Sequence, residues 1–164
     1  MLLFYLQYAF YKFHSRGALL FYSINPGVWI AKMAFRRRPE RFAQYRNDYQ
    51  NAFLDKKKGV STDLAGVAVT VLLILFFLGL FFYFVGIVKV HIEPFWLPFL
   101  VVSVVSFLFT HFALFRRDRY LPKFKYIDEF SRSKKWMVMA WGILAIVLAI
   151  FSFVYGMNTY VKWT

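Results

Sequence analysis

Residues 64–88 read LAGVAVTVLLILFFLGLFFYFVGIV, 25 residues without a charge. Eighteen of them are Leu, Ile, Val or Phe. At about −0.3 to −0.6 kcal/mol each, these side chains favour insertion into hydrocarbon by roughly 5 to 11 kcal/mol. As a helix the stretch would be about 37 Å long, against a bilayer core of about 30 Å, so it would tilt or protrude. It is too long and too apolar for a core helix in a domain of 164 residues.

Two further runs lie downstream. In residues 94–115, Pro94 suits a first helical turn and Trp96 suits a membrane–water interface, while Arg116, Arg117 and Arg119 stop the run. Residues 136–157 follow Lys134 and Lys135 and end in an aromatic belt of Tyr155, Tyr160 and Trp163. The three runs predict an all-α membrane protein with three transmembrane helices. Composition agrees: the chain is 60% hydrophobic, where soluble domains are about 45–50% apolar. It contains no cysteine, which excludes disulfides, thiolate metal sites and cysteine nucleophiles.

The positions of the cations predict the orientation. Residues 1–63 carry 11 Lys+Arg, residues 89–93 carry 1, residues 116–135 carry 8 and residues 158–164 carry 1. Segments rich in Lys and Arg stay on the cytoplasmic side. The N-terminal arm and the 116–135 loop are therefore expected inside, with the 89–93 turn and the short tail outside. This distribution accounts for the net charge of +13 without nucleic acid, for which the chain carries no motif. The start, Met1-Leu2-Leu3-Phe4-Tyr5-Leu6, has no basic region ahead of its apolar residues and resembles neither a cleavable signal nor a transit peptide. The expected location is a bacterial inner membrane.

Residues 1–63 read as an arm of interfacial amphipathic helices. Residues 1–13 are apolar and aromatic but too short to span. Residues 17–35 are broken by Asn25-Pro26-Gly27 and carry Lys32, which favours short helices in the interface over a fourth span or a re-entrant hairpin. In residues 39–54, Phe42, Tyr45, Tyr49 and Phe53 recur at +3, +4 and +4. They share one helix face that can pack on the membrane, on the 116–135 loop or on a partner protein. Arg36, Arg37, Arg38, Lys56, Lys57 and Lys58 form two basic clusters placed to meet anionic lipid headgroups.

Within the spans, Gly142, Ala145, Ala149, Ser152 and Gly156 form a stripe of small residues on the third helix. Such stripes let helix backbones approach closely. Ser103, Ser106 and Thr110 share a face of the second helix, and Gly79 and Gly86 lie one heptad apart on the first. Chemistry is sparse. His91 and Glu93 supply at most two metal ligands where three or four are needed. His111 is the one ionisable residue inside a span and the one candidate for a proton or ligand role. No nucleotide-binding loop, nucleophile elbow or catalytic carboxylate pair occurs, and no cofactor is called for. The expectation is a non-catalytic subunit of a larger membrane complex, partnered by anionic lipids and other membrane proteins. A small homo-oligomeric channel or transporter and a lipid-acting membrane enzyme are the alternatives.

Overall fold

The computed structural model describes residues 1–57 and 59–162. Among them the elements are helical and no strand occurs. The helices are α1 (Leu2–Ile24), α2 (Pro26–Ala34), α3 (Pro39–Leu54), α4 (Val60–Val88), α5 (Leu97–Thr110), α6 (Tyr120–Asp128) and α7 (Arg132–Val161). A π-helical turn (His111–Phe115) and a 3-10 turn (Arg116–Asp118) continue α5. Three helices are long and apolar enough to cross a membrane: Val60–Val88, Leu97–Phe115 and Arg132–Val161.

The hydrogen-bonded helices outrun the apolar runs at the start of α4 and at both ends of α7. α4 takes in Ser61, Thr62 and Asp63, and α7 takes in the basic residues from Arg132 to Lys135. The second long helix differs in its start. It begins at Leu97 rather than Pro94, whose carbonyl accepts from the Leu97 N–H at 3.1 Å. Pro98 explains the shift. With no N–H and a fixed φ it belongs in a first turn, which a start at Leu97 gives it.

α4 and α7 form the centre of the bundle and run parallel. Val69 shares a cluster with Ala145, Gly79 abuts Ser152 and Gly156, and Gly86 abuts Thr159, so contacts climb both helices together. The approach is backbone to backbone. A Cβ built on Gly156 would lie 2.0 Å from the Gly79 carbonyl oxygen, and the Ser152 hydroxyl donates to the Phe76 carbonyl at 3.3 Å. At the far end Leu78, Phe82 and Tyr160 are buried, with Phe95 and Phe99 packed on Phe82. α5 packs on α4 and buries Ser106 and Thr110 there. Its opposite face, including Leu100, Val101 and Val104, is exposed.

The N-terminal segment departs from the expected string of short surface helices. α1 is a single helix of 23 residues, and its first half packs against both α4 and α7. Leu3 and Leu6 lie among Val69, Leu73 and Ala145. Small residues make room for it: a Cβ on Gly142 would come within 2.9 Å of the Ala9 Cβ. The chain breaks at Asn25, whose Oδ1 accepts from the Gly27 N–H at 2.8 Å and caps α2, with Pro26 in its first turn. The 116–135 segment is likewise built into the molecule. Its helix α6 buries Tyr120, Phe124 and Ile127, and Phe124 meets the rings of Tyr8 and Tyr11 at 5.3 Å each.

Candidate functional site

Polar groups of α1, of the linker between α3 and α4, and of α6 converge beside the core formed by Tyr8, Ala65, Phe124 and Val138. At the centre is Asp128, the last residue of α6. Its Oδ1 accepts from the Tyr8 hydroxyl at 2.5 Å and from Lys12 Nζ at 3.1 Å, and its Oδ2 accepts from Lys56 Nζ. Burial on its own would raise the carboxyl's pKa. The hydrogen bonds from Lys56, Tyr8 and Lys12 outweigh it and hold the group down at about 2. Tyr8, with a ring 1% exposed, is pushed upward, first by burial and then by the Asp128 carboxylate, so it stays a phenol and a donor. Lys12 also lies over the Tyr8 ring, 5.2 Å from its centroid. Beside this junction the Tyr11 hydroxyl donates to the Leu54 carbonyl at 2.7 Å, and the Tyr120 hydroxyl to the Lys57 carbonyl at 3.2 Å. These bonds tie the linker between α3 and α4 to α1 and α6.

This arrangement alters the expected lipid contacts. Lys56 is paired with Asp128, and Lys57 Nζ lies 3.4 Å from Asp118 Oδ2. Both therefore answer carboxylates of this chain, because the segment after α5 folds back under the linker. Lys58 lies outside the described residues. Arg36, Arg37 and Arg38 are exposed in the turn between α2 and α3.

The aromatic stripe of α3 is partly used inside the molecule. Tyr49 donates to the Ala18 carbonyl at 3.1 Å and stacks on Tyr22 and Phe53, with centroids 4.7 and 4.6 Å away. Phe42 lines a groove against Trp29 and Met33 of α2. Tyr45 is exposed. The stripe thus docks first on the chain's own α1 and α2, and a partner would meet only its Phe42–Tyr45 end.

Of the small residues, Gly142 faces α1, while Ala149 and Gly156 are buried and Ser152 bonds to α4. Ala145 packs beside Leu6. On α5, Thr110 donates to the Ser106 carbonyl at 2.8 Å; the Ser106 hydroxyl is buried without a hydrogen-bond partner, and Ser103 is half-buried.

His111 begins the π-helical turn and lines a largely apolar cavity of about 430 Å³ between α4 and α5. Asp63, Thr70 and Thr110 share that lining. Both threonine hydroxyls donate to carbonyls of their own helices, which leaves Asp63 and His111 as the titratable groups facing the space. Among the described residues no group of three metal-ligating side chains occurs. His91 and Glu93 touch at 3.1 Å, exposed and far from His111.

Comparisons with protein-family models, with curated proteins and with solved structures find no match to this chain. Sequence reasoning missed Tyr8, Lys12 and Asp128 as a unit. Tyr8 and Asp128 are 120 positions apart, and nothing local sets Asp128 apart from Asp118 and Glu129 in the same basic segment.

Proposed function

We propose that this chain is an integral membrane protein in which α4, α5 and α7 cross the bilayer, and that it serves as a non-catalytic subunit of a larger membrane complex. The observation that carries the reading is the asymmetry of the bundle. α5 leans on α4 with one face only, and large side chains on its other face (Leu100, Val101, Val104, Val105) stay uncovered. A helix held on one side is well placed to be covered by a neighbouring subunit, since helices in lipid associate by close packing. The polar residues support the same reading. Their densest cluster, around Asp128, is closed on itself by hydrogen bonds and ion pairs, as a structural junction would be.

The test is co-purification in a mild detergent followed by quantitative mass spectrometry. The full chain is expected to retain the same membrane partners at fixed ratio. Val101→Trp with Val105→Trp, on the uncovered face of α5, should lower their recovery at least fivefold while the bundle itself stays folded. Equal recovery of all partners with the double variant would remove the α5 face from the proposal, and recovery of the chain alone would remove the subunit role.

The cavity beside His111 favours a second reading, a membrane enzyme or binding protein for an amphiphile. It pairs an apolar lining with Asp63 and His111 at one end of the spans. His111→Ala should then abolish turnover or binding of extracted membrane lipid without changing partner recovery.

A further inference from the structure

Two adjoining cavities open beside the Asp128 junction, between α1 and the start of α7. They measure about 360 Å³ and about 170 Å³ and share Arg16, Lys135 and Met139 on their linings. Arg132 and Trp136 extend the smaller one, and Leu19 lines the larger. Both helices thus bring basic and apolar side chains to the cleft.

Its charges are unbalanced. Asp128 is the one carboxylate on either lining, and both its oxygens already serve Tyr8, Lys12 and Lys56. Arg16, Arg132 and Lys135 form no ion pair among the described residues. Three cations held around one cleft repel one another unless an anion joins them. The Ser15 hydroxyl, 8% exposed as a residue, also lines the cleft beside the Tyr11 hydroxyl. Two guanidinium groups and an ammonium are donors that a phosphate diester accepts. The first turn of α7, from Arg132, adds the positive end of a helix of 30 residues. A soluble phosphate would leave Leu19, Met139 and Trp136 facing water; a lipid would cover them with its chains.

We propose that this cleft holds the headgroup phosphate of an anionic phospholipid, with Arg16, Arg132 and Lys135 as its donors and with Met139 and Trp136 against the start of the acyl chains. The site rests on the bilayer reading above and differs from the basic clusters that the sequence singles out. It would anchor α1, whose first half packs along α4 and α7, to the membrane surface at the point where α7 begins.

The test is native mass spectrometry of the full chain in detergent, titrated with phosphatidylglycerol, phosphatidylcholine or glycerol 1-phosphate. One phosphatidylglycerol should be retained at least tenfold better than phosphatidylcholine, and glycerol 1-phosphate at equal concentration should neither bind nor displace it. The combined Arg16→Gln, Arg132→Gln and Lys135→Gln variant should retain phosphatidylglycerol no better than phosphatidylcholine. The Lys162→Gln variant, which removes a cation from the opposite end of α7, should behave as the unaltered chain. Equal retention of the two lipids, undiminished retention by the first variant, or displacement by glycerol 1-phosphate would each overturn the proposal. A photo-crosslinking residue in place of the exposed Leu19 supplies a readout that does not depend on the triple variant folding. It should label phosphatidylglycerol over phosphatidylcholine in mixed vesicles, and equal labelling also overturns the site. Release of the chain from vesicles by carbonate would instead sink the bilayer reading, and is scored separately.

Discussion

Asp128 answers three donors with two oxygens, and the consequence can be read in pH. Its carboxyl falls from an ordinary 3.8 to about 2 in the folded chain. A depressed carboxyl contributes stability that is present above its unfolded pKa and is lost as pH falls towards its folded one. A shift of just under two units corresponds to about 2 kcal/mol. Asp128→Asn is therefore expected to destabilise the chain at pH 7 by about 2 kcal/mol, because Lys12 and Lys56 lose their counter-charge. The difference from the unaltered chain should close between about pH 4 and pH 2, as followed by thermal unfolding in detergent. A gap that stays constant down to pH 2 would rule out the junction's electrostatic role. Gln7 makes the opposite case. Its side chain is fully buried, and neither amide atom has a hydrogen-bond partner. A buried unpaired amide costs about 1–3 kcal/mol, so Gln7→Leu should raise the midpoint of the same unfolding curve. These residues were opaque in the sequence. Lys56 and Asp128 are 72 positions apart, and nothing in a basic loop says which of its charges folds back onto which helix.

At the scale of the helix, the sequence shows what is periodic or uniformly apolar and hides what depends on a neighbour. The run from residue 64 to residue 88 is readable because its side chains prefer hydrocarbon whatever surrounds them. The turn at Asn25-Pro26-Gly27 is readable because its chemistry is local. The docking of α1 into the bundle is not, since it rests on Ala9 meeting Gly142, two small residues with no mutual signal. The tilt of the α3 stripe towards α1 depends in the same way on Tyr49 finding a carbonyl at Ala18. Glycines test this distinction directly. Gly156 touches the backbone of Gly79, whereas Gly17 of α1 has nothing within 4 Å of where its Cβ would be. Gly156→Ala must push α4 and α7 apart and is expected to destabilise by about 1–3 kcal/mol, the usual cost of overpacking. Gly17→Ala should stabilise by about 0.5–1 kcal/mol, through helix propensity alone. The two variants belong in one thermal-unfolding series. Shifts of the same sign would mean that the Gly79–Gly156 approach does not hold α4 to α7.

For the whole molecule, the direction of three helices decides where every loop lies. α4 and α7 climb in parallel, and α5, which lies between them in the chain, returns along α4 in the opposite sense. The linker before α4, the turn after α5 and the start of α7 therefore share one end of the bundle. The 89–93 turn and the end of α7 share the other. The first end takes the segments with 11 and 8 of the 21 Lys+Arg, and the second takes one from each of its segments. Carrying an Arg or Lys through hydrocarbon costs about 2.5–3.5 kcal/mol each at the centre, so the basic end should stay on the side from which the chain was inserted. The chain has no cysteine, so single cysteines can report on each end without a background. His91, exposed in the 89–93 turn, and Ser133, exposed at the start of α7, are suitable positions. In intact cells His91→Cys should react with a membrane-impermeant maleimide, and Ser133→Cys should react only after the membrane is opened. The reverse pattern would invert the orientation while leaving the fold untouched. Labelling of both positions in intact cells would mean that the bundle does not span, and the uncovered faces of α5 and α7 would then have to be buried against protein rather than lipid.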